Sequence, residues 1–346
     1  MKGKKSEHTE ISEVGEFGLI ESLTSGIKTI NKSTKLGVGD DAAVIKAAKT
    51  TVVTTDMLVE GVHFNMMYCP LKHLGYKAAV VNFSDVYAMN AKPEQITVSI
   101  AVSDKYALED LEDLYEGLLL ACEVYGVDLV GGDTTSSLSG LIISITAIGS
   151  ADAKNITYRS GAKPNDIICV TGDLGSSYMG LQLLEREKEV FKVNPKSQPD
   201  FSGFEYLLER QLKPEARKDV FEFFAEAGIV PTSMIDISDG LSSEMLHICN
   251  KSQCGCSIYE EKIPIDMATA NAAEEMNLDT TTCALNGGED YELLFTISQA
   301  DYEKIKEVSG ISLIGHINEK ETGCMLVTRN GSLVPLLAQG WNSFKE

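Results

Sequence analysis

The 346-residue chain has few basic residues for its length and lacks any long apolar run. Lys and Arg number 30 against 51 Asp and Glu, so the formal net charge is −21. This balance argues against nucleic acid and membrane as partners, since both attract basic surfaces. No apolar run approaches the roughly 18 residues that a membrane span needs. The first ten residues are polar and unlike a signal peptide, so we expect a cytoplasmic protein.

Cysteine is also sparse, with 8 residues scattered along the chain. That number is low for a disulfide scaffold of this length. One local group, His247, Cys249, Cys254 and Cys256, contains zinc-ligand residue types but lacks a C-x-x-C pair. Reduced, mostly buried thiols are the better interpretation of these residues.

The usual nucleotide-binding motifs are missing. There is no G-x-x-x-x-G-K-[ST] sequence, which excludes a P-loop. Gly37-Val-Gly-Asp-Asp-Ala42 fits a loose dinucleotide fingerprint, but the polar residues before it do not form a predicted strand. Residues 172–180 lead from a predicted strand into a helix, where backbone N–H groups could bind an anion or simply form a turn. The sequence leaves both alternatives open.

The chain is long enough for two domains, since single cores rarely exceed about 250 residues. We place an N-terminal domain at 1–150 and a C-terminal domain at 151–346. Hydrophobic periodicity predicts strands and helices in both halves, which favours an α/β or α+β fold. The predicted strands are 51–55 ending at Asp56, 96–102, 128–130, 141–149, 167–171 and 291–297. The predicted helices are 72–90, 108–125, one from about 175, 220–227 and 241–250, with a charged surface excursion at 185–203.

Acidic residues recur beside small residues at the predicted ends of these elements. They are Asp40 and Asp41, Asp56, Asp133, Asp236 and Asp239, and Glu289 and Asp290. Magnesium prefers such hard oxygen ligands and usually shares them with substrate phosphates. A single aspartate of this kind is commonly a turn residue, but five similar loops in one chain favour a metal-binding role.

Asp85 carries further information because it interrupts an apolar helical stripe. Leu74, Ala78, Val81 and Met89 share that stripe at i, i+3 or i+4 spacing. A buried carboxylate is costly unless it is paired or bound to metal. The sequence favours metal, and a Lys or Arg partner is the alternative.

Taken together, the acidic loops resemble the thiamine-monophosphate kinase family, within the superfamily of aminoimidazole-ribotide synthetase and selenophosphate synthetase. The matching segments cover nearly the whole chain. They are Gly37-Val-Gly-Asp-Asp-Ala-Ala-Val44, Thr55-Asp-Met-Leu-Val-Glu-Gly-Val-His-Phe64, Lys77-Ala-Ala-Val-Val-Asn-Phe-Ser-Asp85, Gly131-Gly-Asp-Thr-Thr135, Arg159-Ser-Gly-Ala162, Ile235-Asp-Ile-Ser-Asp-Gly240 and Gly287-Gly-Glu-Asp-Tyr-Glu292. Acidic loops alone are shared across the superfamily. The features specific to this family are His63, in the sequence Gly-x-His-Phe, and the Gly-Gly-Glu-Asp-Tyr-Glu segment.

This resemblance implies a two-domain aminoimidazole-ribotide-synthetase-like fold with mixed sheets, a homodimer formed through the N-terminal domain, and a C-terminal domain that closes over the nucleotide. It implies direct transfer of the ATP γ-phosphoryl group onto thiamine monophosphate, with several Mg²⁺ ions. The implied metal ligands are Asp41, Thr54, Thr55, Asp56, Asp85, Asp133, Asp236 and Asp239, with Asp41 ranked ahead of Asp40. The implied ATP contacts are Tyr115, Gly132, Asp133, Arg159 and Ser238, and the implied substrate contacts are His63, Glu289 and Trp341.

Two alternatives remain at the level of sequence. One is another ATP-dependent synthetase of the same superfamily, and the other is a non-catalytic nucleotide or metal sensor. Against the first, the N-terminus lacks a reactive cysteine in a Gly-rich segment, and the chain ends without a cysteine. Against the second, the acidic loops are kept together with His63 and Trp341.

Overall fold

The computed structural model describes residues 9–38, 42–47 and 50–339. Its internal contacts divide the chain into two compact units. Unit 1 comprises Met1–Val86 and Lys92–Ala151, and unit 2 comprises Tyr87–Ala91 and Asp152–Glu346. The roles that the sequence assigned to its two domains stay predictions.

Unit 1 is built on a four-stranded mixed sheet with the strand order β3-β6-β4-β5. Only the β4–β5 pair is parallel. The elements are α1 (Ile11–Thr24), β1 (Thr34–Leu36), β2 (Val44–Ile45), β3 (Thr51–Val59), α2 (Leu71–Ala88), β4 (Lys92–Val102), α3 (Leu108–Tyr125), β5 (Asp128–Ser136) and β6 (Leu141–Ser150). Ile96, Val98, Ile100 and Val102 alternate along β4 and are all buried, as the period-two pattern predicted.

Helices α2 and α3 approach each other closely because glycines stand at their contact. A Cβ built on Gly117 of α3 would lie 1.7 Å from the carbonyl oxygen of Lys72 on α2. A Cβ built on Gly75 of α2 would lie 1.9 Å from the carbonyl oxygen of Leu114 on α3. Any larger side chain would therefore have to separate the two backbones.

Unit 2 contains a seven-stranded sheet with the order β13-β12-β9-β11-β7-β10-β8. The pairing is antiparallel except between β9 and β12. The elements are β7 (Ile167–Thr171), α4 (Ser176–Val193), α5 (Glu205–Leu212), α6 (Lys218–Ala227), β8 (Ser233–Asp236), α7 (Leu241–Ser252), β9 (Gly255–Tyr259), α8 (Met267–Glu275), α9 (Thr280–Asn286), β10 (Leu293–Ile297), α10 (Tyr302–Ile305), β11 (Ile311–Asn318), β12 (Cys324–Val327) and β13 (Leu333–Pro335).

Two cores flank this sheet, and each combines strand and helix residues. One contains Ile168 and Val170 of β7 with Met245 and Ile248 of α7. The other contains Cys169 of β7 with Phe224 of α6 and Phe295 of β10. Successive residues of β7 thus point to opposite cores, which explains why this strand is a continuous apolar run.

The predicted elements are largely confirmed, and two strand ends were wrong. Helix 108–125 and strand 167–171 have the predicted bounds. Strand β3 continues past Asp56 to Val59 and β5 continues past Val130 to Ser136, because both are paired with neighbouring strands over that length. Asp56 and Asp133 therefore lie within strands. Helix α4 runs to Val193, so the charged stretch from residue 185 begins as half-buried helix and becomes exposed from Glu189.

No helix among the described residues is long and apolar enough to cross a membrane.

We predict that Gly117→Ala destabilises unit 1, because the added methyl group would overlap the α2 backbone. The expected loss in free energy of unfolding is about 2 kcal/mol or more, as for other overpacked contacts. Urea unfolding measures it. Gly26→Ala is the control, since a Cβ there meets nothing within 4 Å. Equal stability of the two variants would contradict the close helix contact.

Candidate functional site

A carboxylate pair forms in unit 1 between strand β3 and helix α2. Thr54 and Asp56 are two residues apart on β3 and so point to the same side of the strand. The hydroxyl of Thr54 donates a hydrogen bond of 2.5 Å to Oδ2 of Asp85. The backbone N–H of Asp56 donates to Oδ1 of Asn82, at 3.1 Å. One turn of α2 thus holds the three oxygen-bearing side chains of Thr54, Asp56 and Asp85 together.

The electrostatics of this pair are unfavourable without a cation. Burial, followed by the negative charge of Asp85, raises the pKa of Asp56 from 3.8 to about 6. A carboxyl group that is hard to ionise beside another carboxylate is expected where a cation normally compensates the charge.

Two of the predicted metal ligands lie on the other face of the same sheet. Thr55 points away from α2, and its hydroxyl donates to the carbonyl oxygen of Ile145 at 3.0 Å. The strand register places Asp133 beside Ser99, and Ser99 beside Ser144, on the same face as Thr55. Unit 1 therefore brings Thr54, Asp56 and Asp85 together, and it does not bring Thr55 or Asp133 to them.

His63 lies in an exposed turn directly after β3. Its backbone N–H donates to the carbonyl oxygen of Val59 at 2.9 Å, and its Nδ1 accepts from the N–H of Val59 at 3.0 Å. Because Nδ1 is an acceptor, the proton of the neutral ring resides on Nε2. Nε2–H is then directed away from this turn and can donate to a ligand.

Glu60 stabilises the segment that precedes His63. Its carboxylate accepts from the hydroxyl of Tyr106 at 2.7 Å and from the backbone N–H of Leu141 at 2.9 Å. Lys105 pairs with the other oxygen. The turn is thus fixed to the start of β6 and to the loop before α3.

Tyr115, the residue expected near adenosine, lies on helix α3. It is 6% exposed on α3, and burial raises its pKa to about 12. Little of the side chain is open to a ligand in this conformation. Gly132 lies on β5 beside Val98 of β4. Asp40, Asp41 and Trp341 lie outside the described residues.

Unit 2 carries a second acidic site, formed where β8 ends. Asp236 is the last residue of β8, and Ser238 and Asp239 follow in the turn before α7. The N–H of Glu289 donates to the carbonyl oxygen of Ser238 at 2.7 Å. A Cβ on Gly288 would lie 2.5 Å from that same oxygen, and its φ is +73°, so glycine permits the contact.

Charges of both signs surround Asp239. Burial raises its pKa, the charges of His247 and Arg159 lower it, and the charge of Glu289 raises it. Glu244 of α7 accepts from the backbone N–H of Asp239 at 2.9 Å. Burial is the main reason that the pKa of Glu244 is raised to about 7. Arg159 is exposed on the surface of this group.

The segment after Gly288 contains three carboxylates, of which some are structural and one is accessible to a ligand. Asp290 is buried, and its Oδ2 accepts from the N–H of Gly175 at 2.9 Å. This carboxylate occupies the N-terminus of α4, so the turn at residues 172–180 is a structural one. Glu289 is only half-buried, in a left-handed conformation with φ of 58°, and accepts from the amide of Gln211 at 2.9 Å.

Glu292 is the second structural carboxylate of that segment. Arg210 and Arg217 each donate to one of its oxygens at 2.9 Å, and the hydroxyl of Thr171 donates at 2.5 Å. Glu292 is 1% exposed, so this charge is buried together with its partners. Only Glu289 of the three carboxylates is left where it can meet a ligand.

Known proteins that are similar to this chain identify its family. Residues 39–151 match the family described as "AIR synthase related protein, N-terminal domain". Thiamine-monophosphate kinase of Bacillus subtilis is 35% identical over 341 residues, which cover 95% of this chain and 99% of that relative. The chain belongs to the thiamine-monophosphate kinase family.

Solved structures of that family have the same fold. One is the structure of AaThiL complexed with AMPPCP and TMP, which is 31% identical in sequence. The match covers 98% of this chain and 100% of the AaThiL chain, with a TM-score of 0.73. The kinase from Stenotrophomonas maltophilia is 27% identical, covers 91% and 95%, and gives a TM-score of 0.76. The family and the two-domain fold class predicted from the sequence are thereby confirmed.

The donor sets of both acidic sites suit magnesium. Carboxylate and hydroxyl oxygens are its preferred ligands, and it is commonly held by one or two carboxylates plus substrate phosphates. In the part of the chain that the structure describes, no three carboxylates bring oxygen atoms within 4.8 Å of one another. The pairs found here fit a metal whose remaining ligands come with the substrate.

Sequence reasoning missed the residues that hold the acidic side chains in place. Glu244 and Asn82 lie in helices directly behind Asp239 and Asp56, and each accepts the backbone N–H of that aspartate. A signal for Glu244 was present, since an acidic residue in the first turn of a helix after a motif is favoured electrostatically. Asn82 gave no such signal.

We predict that Asp56→Asn stabilises the metal-free protein at neutral pH. The raised pKa of Asp56 means that the wild type loses stability as pH rises from about 4 through 6. Above pH 6 the variant should be more stable by about 1–3 kcal/mol, and below pH 4 the difference should vanish. Urea unfolding in a chelator measures it. Asp104→Asn, at an exposed turn, is the control. A difference that does not change with pH would contradict the prediction.

Proposed function

We propose that the chain transfers the γ-phosphoryl group of ATP onto thiamine monophosphate and forms thiamine diphosphate. The observation that carries this proposal is its 35% identity over nearly the full length of a thiamine-monophosphate kinase. The related structure that holds AMPPCP and TMP supports the same two substrates, at 31% identity. AMPPCP is an ATP analogue that cannot be cleaved at its β–γ bridge.

The acidic residues serve to bind cations, which allow the two negatively charged substrates to approach each other. ATP and a monophosphate acceptor repel each other, and a chain with a net charge of −21 adds to that repulsion. Magnesium, when bound, would neutralise the phosphates and align the reacting oxygens. Asp56 and Asp85 in unit 1, and Asp239 in unit 2, offer the carboxylates that hold such ions.

The proposed site residues are the full set that the family resemblance implies. The proposed metal ligands are Asp41, Thr54, Thr55, Asp56, Asp85, Asp133, Asp236 and Asp239. The proposed ATP contacts are Tyr115, Gly132, Asp133, Arg159 and Ser238, and the substrate contacts are His63, Glu289 and Trp341. The arrangement around Thr54, Asp56 and Asp85 gives these three the best geometric support.

His63 and Glu289 each offer a group that suits one part of thiamine monophosphate. The Nε2–H group of His63 can donate to a phosphate oxygen, since its Nδ1 already accepts from Val59. The carboxylate of Glu289 can face the positively charged thiazolium ring. Arg159 is exposed beside Asp239 and can add a bidentate phosphate contact.

The reaction requires no general base. The attacking oxygen belongs to a phosphate group that is already ionised at neutral pH, so no proton has to be removed first. Catalysis then consists of positioning and charge neutralisation. This agrees with a chain that has only 5 histidines and whose His63 is held by hydrogen bonds to the backbone.

We propose a homodimer that forms through the sheet of unit 1. Val53 and Met57 on strand β3 are 62% and 56% exposed on the same face of that sheet. Large exposed apolar side chains on an open sheet face suit a surface that a partner covers. The proposed ligands Thr55 and Asp133 share this face and would then lie at the interface. Sedimentation equilibrium should give twice the chain mass of 37.5 kDa. A monomer at micromolar concentration would contradict the proposal.

A cytoplasmic location is also proposed. It is supported by the free thiols of all 8 cysteines. Fractionation of the source cells tests it, and recovery outside the cytoplasm would contradict it.

The phosphotransferase reaction gives a direct test. Incubation with ATP, magnesium and thiamine monophosphate should yield thiamine diphosphate and an equal amount of ADP. Chromatography of both products measures it. Formation of ADP with another acceptor only would contradict the kinase assignment, and no turnover with any acceptor would favour a binding protein.

A matched pair of variants tests the metal site in the same assay. Asp85→Asn keeps the shape of the side chain but removes its charge, and we expect a loss in turnover of about 100-fold or more at ordinary magnesium concentrations. Asp104→Asn should retain wild-type turnover. Circular dichroism checks that both variants fold. Near-normal turnover of Asp85→Asn would remove Asp85 from the metal centre.

A further inference from the structure

Unit 2 brings one distant cysteine, Cys324, to three cysteines that are close together in the sequence. Cys249 lies near the end of α7, Cys254 follows that helix, Cys256 lies on β9, and Cys324 begins β12. All four are free thiols. The sequence grouped the first three with His247, but His247 is exposed on the opposite side of α7, toward Asp239. Cys324, 68 residues beyond Cys256, takes its place.

Three of these sulfur atoms form a compact group. The Sγ atoms of Cys249, Cys256 and Cys324 all lie within 4.8 Å of one another. In the described part of the chain, no other group of three or more His, Cys, Asp or Glu ligand atoms meets this distance. Tetrahedral zinc thiolates, with Zn–S distances of about 2.3 Å, place their sulfurs roughly 3.8 Å apart. The group therefore needs only a small contraction to enclose an ion.

The backbone fixes the positions of the sulfurs. Cys256 and Cys324 face each other in register on the parallel strands β9 and β12. The N–H of Cys254 donates to the carbonyl oxygen of Cys249 at 3.1 Å, which closes the turn between α7 and β9. The thiol of Cys254 donates to that same carbonyl oxygen at 3.9 Å, which places Cys254 beside the group as a candidate fourth ligand.

The surroundings suit a structural metal site that is largely closed to water. Cys249, Cys254 and Cys256 are buried in the core that contains Ile248, Ile258 and Leu326, whereas Cys324 is half-exposed. An ion can enter beside Cys324 and would then be shielded from water. It would tie α7 to both β9 and β12.

We propose that Cys249, Cys256 and Cys324, with Cys254 as the fourth ligand, bind one thiophilic divalent ion of the Zn²⁺ type. Each ligand thiol releases its proton to solvent as its sulfur coordinates the ion. The site is separate in chemistry from the magnesium sites, since soft thiolates select zinc and similar metals whereas hard carboxylates select magnesium. The proposal does not depend on the kinase activity.

Cobalt(II) provides the test, because its spectrum reports the ligand type. The full chain, reduced and stripped of metal, is titrated with Co²⁺ in the presence of excess Mg²⁺. We expect thiolate-to-cobalt charge-transfer absorption and the visible bands of tetrahedral cobalt, saturating at one ion per chain. Zn²⁺ should abolish both signals and raise the unfolding temperature. Carboxylate sites give neither charge transfer nor tetrahedral bands.

Variants locate the signal. Cys324→Ser, at the half-exposed position, and Cys256→Ser should each lose the charge-transfer absorption. Cys283→Ser removes a buried thiol elsewhere in unit 2 and should retain it. Circular dichroism checks the fold, and the titration of the wild type stands even if a variant fails to fold. A wild type without charge transfer, or a disulfide within the cluster that persists under reductant, would overturn the proposal.

Discussion

Like-charge repulsion between partly buried carboxylates is the constraint on which both acidic sites depend. Burial raises the pKa of Asp56, and the neighbouring charge of Asp85 raises it further. Asp239 and Glu244 stand in the same relation in unit 2. A fold selected for stability alone would separate or neutralise such pairs. Their retention fits a protein that binds cations together with phosphorylated substrates.

The contrast with Glu292 shows how the same fold treats a carboxylate that has only a structural role. Two arginines and a threonine satisfy its oxygens within the core. Asp290 likewise has a structural role, because its carboxylate accepts a hydrogen bond at the N-terminus of α4. These two buried residues place Glu289, their neighbour, at the surface of the acidic loop. One short segment thus contains both the support and the side chain that is open to a ligand.

In unit 2, the two ends of helix α7 carry different kinds of metal ligand, hard carboxylates at one end and soft thiols at the other. The N-terminal turn of α7 supplies Glu244 behind Asp239, and its C-terminal turn supplies Cys249 to the thiol group. An ion bound by the thiols would brace the end of α7 that lies away from the acidic loop. Such bracing would favour a stable position for Glu244, and so for the loop that it holds.

The sequence by itself determined the family, the mixed α/β character, and most of the acidic residues, because these depend on local motifs and on hydrophobic periodicity. Helix α3 and strand β7 had their predicted bounds for the same reason. Only the tertiary structure decided that Asp56 meets Asp85 while Asp133 lies on the other sheet face, since strand register sets that. It also brought Cys324 to Cys256. Pairing between strands 68 residues apart leaves no local trace in the sequence.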